Sequence, residues 1–89
     1  MLKPVFSNRF DKDLKRMLRR GKEAEKIKDV IRKLINEERL DKKYRDHPLR
    51  GNYKSCRDCH IEPYWILIYR IYGNQIQFLR TGSHLDLFR

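Results

Sequence analysis

The chain has 89 residues and a mass of 11.0 kDa, which limits it to one domain, spanning residues 1–89, with a single small core. Lysine and arginine number 22 against 12 acids, and the net charge of +10 favours polyanionic partners such as nucleic acid or an acidic protein. The longest apolar run, YWILIY, is too short to span a bilayer and the N-terminus lacks an apolar signal core, so we expect a cytoplasmic protein without a membrane partner.

The first part of the chain predicts a strand followed by two basic helices. LKPVF is a short strand candidate, and Ser7 or Asn8 can cap the helix that follows. Apolar residues then recur at helical spacing on both sides of Gly21, which predicts two amphipathic helices that can form an antiparallel hairpin. They are Phe6, Phe10, Leu14, Met17 and Leu18, and then Ala24, Ile27, Val30, Ile31, Leu34 and Ile35. The residues before Gly51 carry a charge of +8 and the rest +2, so the basic surface is expected mainly on these helices.

The second part of the chain predicts an antiparallel meander of three strands. After RLDKKYRDHPLRGN, which is typical of an exposed connection, come YKSCRDCHI, YWILIYRIY and QIQFLRT, the last two joined by a two-residue turn at Gly73 and Asn74. Alternation along the middle strand separates Trp65, Leu67, Tyr69 and Ile71 from Tyr64, Ile66, Ile68, Arg70 and Tyr72. We therefore predict an α+β fold whose meander packs one face on the helices. The other face would form the floor of a cleft that bears Arg80 or its neighbours.

The motif CRDCH, from Cys56 to His60, matches the pattern of c-type haem attachment and half of a zinc site. On a strand, however, residues three apart point to opposite faces, so Cys56 and Cys59 cannot reach one haem or one metal ion together. No second pair of ligands at metal-binding spacing occurs elsewhere in the sequence. We therefore expect two thiols and neither metal nor cofactor, whereas Asp58 and His60, two apart, share a face.

The three histidines, His47, His60 and His84, suggest acid and base catalysis on RNA. Each one alone is more typical of a surface or turn position. Together on a basic chain, they are typical of a ribonuclease site. RNA is cut by its own 2′-hydroxyl when one group removes the hydroxyl proton, another protonates the departing 5′-oxygen and a cation stabilises the charge on the phosphate. Imidazoles titrate near neutral pH and can fill either proton-transfer role without a metal ion.

Two segments, YRDHPLRGNYKSCRDCHIEPYWILIYRI and FLRTGSHLDLF, resemble the RelE/YafQ-type bacterial toxins. Their pattern reads D-H-P-L-x-G, then R-D-x-H-x-E-P-x-W-I-L-I-Y, then R-T-G-[ST]-H-x-x-L-F. The likeness covers about residues 44 to 88, and the earlier part matches in layout only. It implies a RelE-like fold, a small sheet against a helical hairpin. It also implies metal-independent cleavage of mRNA on the ribosome that leaves a 5′-hydroxyl end.

Carried over by motif position, the resemblance implies a set of site residues. The catalytic candidates are His47, His60 and His84, with Asp58 beside His60 and Arg80 as the cation that stabilises the phosphate; Phe88 is a terminal RNA contact, and Lys54, Arg57 and Trp65 are further RNA contacts. We favour His84 as the general acid, and the base is either His60 or His47. Trp65 is explained equally well by core packing. Tyr64 stands where the family pattern has an acid, so Glu62 or Asp58 would have to orient a histidine.

The resemblance also implies partners. Such toxins are held inactive by an antitoxin, whose acidic segment would wrap the basic surface of this chain, and we expect no strong specific DNA binding by the chain alone. The alternative is a basic module that grips RNA or ribosomes without cutting, for which the helices suffice. Catalysis by His84 needs an ordered C-terminus, so we predict that Leu85 and Leu87 pin the tail carrying His84 to the sheet.

Overall fold

The computed structural model describes residues 1–88, which form an α+β fold as predicted. The strands are Lys3–Phe6 (β1), His47–Pro48 (β2), Arg57–Glu62 (β3), Trp65–Tyr72 (β4) and Gln75–Gly82 (β5), and the helices are Asn8–Arg19 (α1), Ala24–Ile35 (α2) and His84–Leu87 (α3). Single turns of 3₁₀ helix occupy Lys42–Tyr44 and Gly51–Tyr53. Within the described part of the chain, no helix has the length and apolar character needed to cross a bilayer.

Local signals account for the ends of several elements. Ser7 caps α1, and its hydroxyl accepts a hydrogen bond from the backbone N–H of Phe10 at 2.9 Å. The helix ends just before Gly21, whose φ of 92° suits glycine and stops the helical path. The predicted turn between β4 and β5 is also confirmed: Tyr72 pairs with Gln75, and Gly73 has a φ of 60°.

The sheet has five strands in the order β1-β5-β4-β3-β2. Strand β1 lies parallel to β5 and the other neighbours are antiparallel. The segment predicted as an exposed connection is thus partly wrong, because His47 and Pro48 form a short edge strand whose partners are Asp58 and Arg57. Pairing with β3 gives this polar segment a fixed position next to the sheet.

The helices α1 and α2 cover one face of the sheet, and the main core lies between them. It contains Phe10 and Met17 of α1, Ile27, Val30 and Leu34 of α2, and Cys59, Trp65, Leu67, Tyr69, Ile76 and Phe78 of the sheet. Trp65, Leu67 and Tyr69 share this face, as their alternation predicts, but Ile71 is half exposed beyond the edge of the helices. Burying these apolar side chains contributes most of the favourable free energy of folding.

The opposite face, which we call the second face, carries Ile66 and Ile68 and is covered by loops and by α3. Leu87 and Cys56 pack on these two isoleucines. A β-bulge between β4 and β5 places Phe78 opposite Tyr69 but Arg80 opposite Ile68. Since residues directly opposite one another share a face, the bulge turns Arg80 onto the second face, whereas regular alternation would have kept it beside Phe78.

Candidate active site

His47 and His60 flank Asp58 on the second face, and His84 lies nearby. Strand pairing sets His47 opposite Asp58, and His60 follows two residues later on the same face. The ring centroids of His47 and His60 are 6.4 Å apart. His84, the first residue of α3, lies close enough for its charge to act on the Asp58 carboxyl. Residues far apart in sequence therefore form one cluster, as the motif positions imply.

Asp58 is a buried carboxyl group, with only 4% of its side chain exposed. Burial raises its pKa, and positive charge on His47, His60 and His84 offsets part of this rise. Its Oδ1 lies 3.1 Å from Nε2 of His47, but the two are not aligned for a hydrogen bond and Oδ1 has no other hydrogen-bond partner. Asp58 shares a face with His60 as predicted, yet the histidine at ion-pair distance is His47.

The proton on His47 can be placed from its contacts. Its Nδ1 lies 2.6 Å from the carbonyl oxygen of Arg45, and because a carbonyl only accepts, Nδ1 carries a proton and donates it. Nε2 then faces Asp58, so a second proton must reside on one of these two groups for their contact to be attractive. His47 thus presents Nε2 to the Asp58 carboxyl while its Nδ1 is held by the backbone.

Asp46 anchors the segment that carries His47. It accepts a hydrogen bond from the Tyr69 hydroxyl at 2.5 Å and two from the Arg57 guanidinium at 3.3 and 3.4 Å. Burial and this carboxylate both raise the pKa of Tyr69, which keeps the phenol protonated as a donor. The preceding Arg45 has a φ of 49°, in the left-handed region. These contacts tie β2 to the core through β4.

Arg80 is held from the helix side by Asp13 of α1. Its Nε donates to Asp13 Oδ2 at 2.6 Å and its Nη2 to Oδ1 at 3.3 Å. Its Nη1 lies 3.5 Å from the Tyr53 hydroxyl, and the Tyr53 ring meets Phe88 edge to face at 5.8 Å between centroids. The ring centroids of Phe88 and His84 are in turn 4.9 Å apart. Arg80 is therefore linked to the histidine cluster through two aromatic rings.

The C-terminal helix α3 is docked through a cap, an ion pair and one buried side chain. Ser83 caps it, and Asp86 accepts from the Ser83 N–H at 2.8 Å and from Arg20 of α1 at 2.7 Å. The Arg20 guanidinium lowers the pKa of Asp86 well below its usual range. Leu87 is buried, as predicted, but the prediction for Leu85 is wrong because its side chain is 74% exposed. Arg89 lies outside the described residues.

The residues expected to contact RNA differ in burial and pairing. Trp65 is fully buried and its indole N–H donates to Thr81 Oγ1 at 2.9 Å, so it is a core residue and cannot stack on RNA. The Arg57 guanidinium is paired with Asp46, and Lys54 is exposed beside the turn that contains Tyr53. Glu62 binds Lys22 and Lys26 rather than a histidine, with separations of 2.8 and 2.6 Å.

The cysteines of CRDCH lie on opposite sides of the sheet, as the strand geometry predicts. Cys59 is in the main core and Cys56 packs on the second face, and burial raises the pKa of both thiols. In residues 1–88 no three histidine, cysteine or acidic side chains are arranged to hold a metal ion.

Sequence reasoning missed Asp13, Tyr53 and Asp46. Asp13 lies three residues after Phe10 and four before Met17, so it falls on the apolar stripe of α1. An acid at such a buried position indicates that a cation or hydrogen-bond donor pairs with it. Asp46 lies in a polar segment without periodicity, and Tyr53 begins a segment predicted as a strand but ends a 3₁₀ turn, so nothing local identifies their partners.

The order of the elements and the five-stranded sheet packed on two helices are those of the RelE-like class of small α+β toxins. The family model described as "Bacterial toxin of type II toxin-antitoxin system, YafQ" matches residues 2–89, and the chain belongs to this family.

Similar proteins include the mRNA interferase toxin YafQ of Escherichia coli K12, 43% identical over 84 residues that cover 93% of this chain and 91% of that protein. The crystal structure of the E. coli DinJ-YafQ complex is similar at 40% identity, with a TM-score of 0.93 over the whole of both chains. A metal-bound toxin from Helicobacter pylori, 40% identical, has a TM-score of 0.92 over 99% of this chain and 100% of that one.

Proposed function

We propose that this chain is an endoribonuclease toxin that cleaves mRNA by attack of the 2′-hydroxyl, with histidines as acid and base and without a metal ion. The observation that carries the proposal is the cluster of His47, His60 and His84 around the buried Asp58 on one face of the sheet. Family membership and the similar mRNA interferase toxin of E. coli support the cleavage of mRNA by this chain.

In this mechanism the base removes the 2′-hydroxyl proton and His84 protonates the departing 5′-oxygen. The base is His47 or His60, and the 3.1 Å separation of His47 from Asp58 does not decide between them. Arg80 stabilises the negative charge that grows on the phosphate, and Phe88, packed between Tyr53 and His84, holds the RNA. Lys54 and the other exposed basic residues attract the RNA backbone.

We place this reaction on translating ribosomes in the cytoplasm, and we propose a cognate antitoxin as the second partner. The solved DinJ-YafQ complexes support an antitoxin, and a chain with a charge of +10 suits an acidic segment that wraps it. Association of opposite charges is fast, so the toxin would be captured soon after synthesis. Specific DNA contact is left to the antitoxin.

The test compares His84→Ala with the control Leu85→Ala, since both residues lie exposed on α3. Purified proteins are added to translating ribosomes, and mRNA 5′ ends are mapped for hydroxyl termini. We expect His84→Ala to lower the cleavage rate by about 10²- to 10⁴-fold, the range for a lost acid or base, with unchanged thermal unfolding. Leu85→Ala should cut like the wild type.

A His84→Ala protein that retains full cleavage would refute the role of His84. A wild-type protein that binds ribosomes but never yields fragments with 5′-hydroxyl ends would instead favour the non-catalytic binding module. The two results are distinct, because the first still shows cleavage and the second shows none.

A further inference from the structure

Asp13 is an acid in the interior of the molecule, with 3% of its surface exposed. It receives two hydrogen bonds from the Arg80 guanidinium, one from the backbone N–H of Thr81 at 3.2 Å and one from Arg16 at 3.3 Å. A buried carboxylate is costly unless donors surround it, and these four contacts supply them. Asp13 is therefore held in one place by groups from both α1 and β5.

The edge of β5 explains why an acid lies there. Strand β1 accompanies β5 only as far as Phe78, where its last residue is Phe6. Beyond that point α1 takes the place of a neighbouring strand. The Ser7 hydroxyl donates to the carbonyl of Leu79, and Asp13 accepts from the N–H of Thr81, so both side chains replace ladder hydrogen bonds. The backbone of β5 thus fixes the carboxylate directly beside Arg80.

The pairing leaves one edge of the guanidinium available. Arginine has five N–H donors in a rigid plane, and Asp13 engages the edge formed by Nε and Nη2. Nη1 points to Tyr53, at the long distance of 3.5 Å, and Tyr53 leads to Phe88 and His84. A guanidinium gripped on one edge presents the other in a defined direction, at a small cost in side-chain entropy when it binds an anion.

We propose that Asp13 is a positioning residue: it grips Arg80 so that the Nη1 edge faces the phosphate at which His84 delivers its proton. This inference rests on the proposed function. It assigns Asp13 no contact with RNA; its effect passes through Arg80. Without Asp13, the arginine retains its charge but loses its fixed direction.

The experiment is a double-mutant cycle on the full chain, with cleavage on translating ribosomes measured for the wild type, Asp13→Asn, Arg80→Ala and the double variant. Asp11→Asn is the matched control, since Asp11 is an exposed acid on the same helix. We expect Asp13→Asn to lower kcat by ~10- to 100-fold, the effect of a misplaced catalytic group, with KM nearly unchanged. In the Arg80→Ala background the same substitution should have no further effect.

Circular dichroism sets an assay temperature at which every variant is folded. If Asp13→Asn does not fold, Arg80→Lys replaces it: lysine keeps the charge but has no second edge to present, so it should cleave as slowly as Arg80→Ala. Arg80→Lys cleavage at the wild-type rate would overturn the inference.

Equal losses from Asp13→Asn in both backgrounds would show a purely structural role and overturn the inference, as would full activity of Asp13→Asn or Arg80→Ala. A wild-type protein that cuts no RNA would refute the proposed function itself, and this inference with it. In the expected result, wild type and Asp11→Asn cut alike, and the loss from Asp13→Asn appears only when Arg80 is present.

Discussion

Asp58 shows at the scale of a single residue how the site trades stability for chemistry. Its carboxyl is buried on the second face, and the three nearby histidines do not fully compensate the lost hydration, since its pKa remains raised. A group whose folded pKa is raised in this way penalises the folded state at any pH where it is ionised. In the proposed mechanism the carboxyl has a use despite this cost, because it faces His47 at 3.1 Å.

We predict that Asp58→Asn raises the free energy of unfolding at pH 7, by about 1 kcal/mol, because a neutral amide costs less to bury than a carboxylate. The sign follows from the raised pKa: the penalty is absent below the unfolded pKa and grows as pH rises through the folded pKa. The difference in free energy of unfolding between Asp58→Asn and the wild type should therefore shrink as pH falls toward the ordinary aspartate pKa. Urea unfolding of both proteins at several pH values measures this difference.

Asp11→Asn, an exposed acid changed in the same way, is the control and should shift stability little. The same Asp58→Asn protein should cleave RNA more slowly than the wild type. An Asp58 variant that is less stable than the wild type at pH 7 would show that pairing with His47 outweighs the cost of burial.

At the scale of the element, α3 depends on its contacts for its existence. A helix of four residues does not form in isolation, because the entropy lost in fixing the first turn exceeds the free energy gained from its hydrogen bonds. Leu87 fills a place on Ile66 and Ile68, and Asp86 joins the cap of α3 to Arg20 of α1. The position of His84 therefore depends on a contact between the first and last helices of the chain.

We predict that Arg20→Gln loosens α3 and lowers cleavage. The loosening is visible as faster hydrogen exchange of the Leu87 and Phe88 amides, which donate to Ser83 and His84. Because Arg20 lowers the pKa of Asp86, this contact stabilises the fold above the usual aspartate pKa and is lost as pH falls through the depressed value. In Arg20→Gln the pKa of Asp86 should be less depressed, so its stabilising contribution is smaller and its loss is complete at a higher pH.

Arg19→Gln is the matched control, because Arg19 is a neighbouring exposed arginine of α1. It should leave exchange in α3 unchanged. Identical exchange in wild type and Arg20→Gln would mean that Leu87 and the cap hold α3 without the ion pair.

At the scale of the whole molecule, net charge affects how the protein associates with its partners more than it affects the fold. The charge of +10 produces a long-range field that attracts polyanions and is screened by salt. The site itself holds several of its charges in pairs, among them Arg80 with Asp13 and Arg57 with Asp46. An exposed lysine such as Lys54 is therefore better suited to bind the RNA backbone away from the scissile phosphate than Arg57, whose guanidinium is paired.

We predict that the logarithm of the RNA association constant falls linearly with the logarithm of the salt concentration. Lys54→Gln should make this slope shallower by about 0.7, the value for one phosphate contact on single-stranded RNA. Fluorescence anisotropy with a labelled RNA oligonucleotide, at several salt concentrations and with the inactive His84→Ala background, measures it. Lys3→Gln, on the exposed edge strand β1, is the control. An unchanged slope for Lys54→Gln would show that Lys54 does not contact an RNA phosphate.

The sequence by itself determined what depends on neighbouring residues. Periodicity predicted the two helices and the meander, Ser7 predicted the start of α1, and alternation placed Cys56 and Cys59 on opposite faces. These features follow from backbone geometry over a few residues, which side-chain pattern reports directly. The motifs also identified the histidines, although pattern alone could not show that they meet.

Tertiary structure alone decided which groups touch. The bulge beside Phe78 turned Arg80 onto the second face, pairing of β2 with β3 brought His47 to Asp58, and the end of β1 left the edge of β5 to Asp13. Packing also made Trp65 a core residue and left Leu85 in solvent. Such contacts join residues far apart in the chain and depend on strand register, which a pattern of neighbouring residues does not encode.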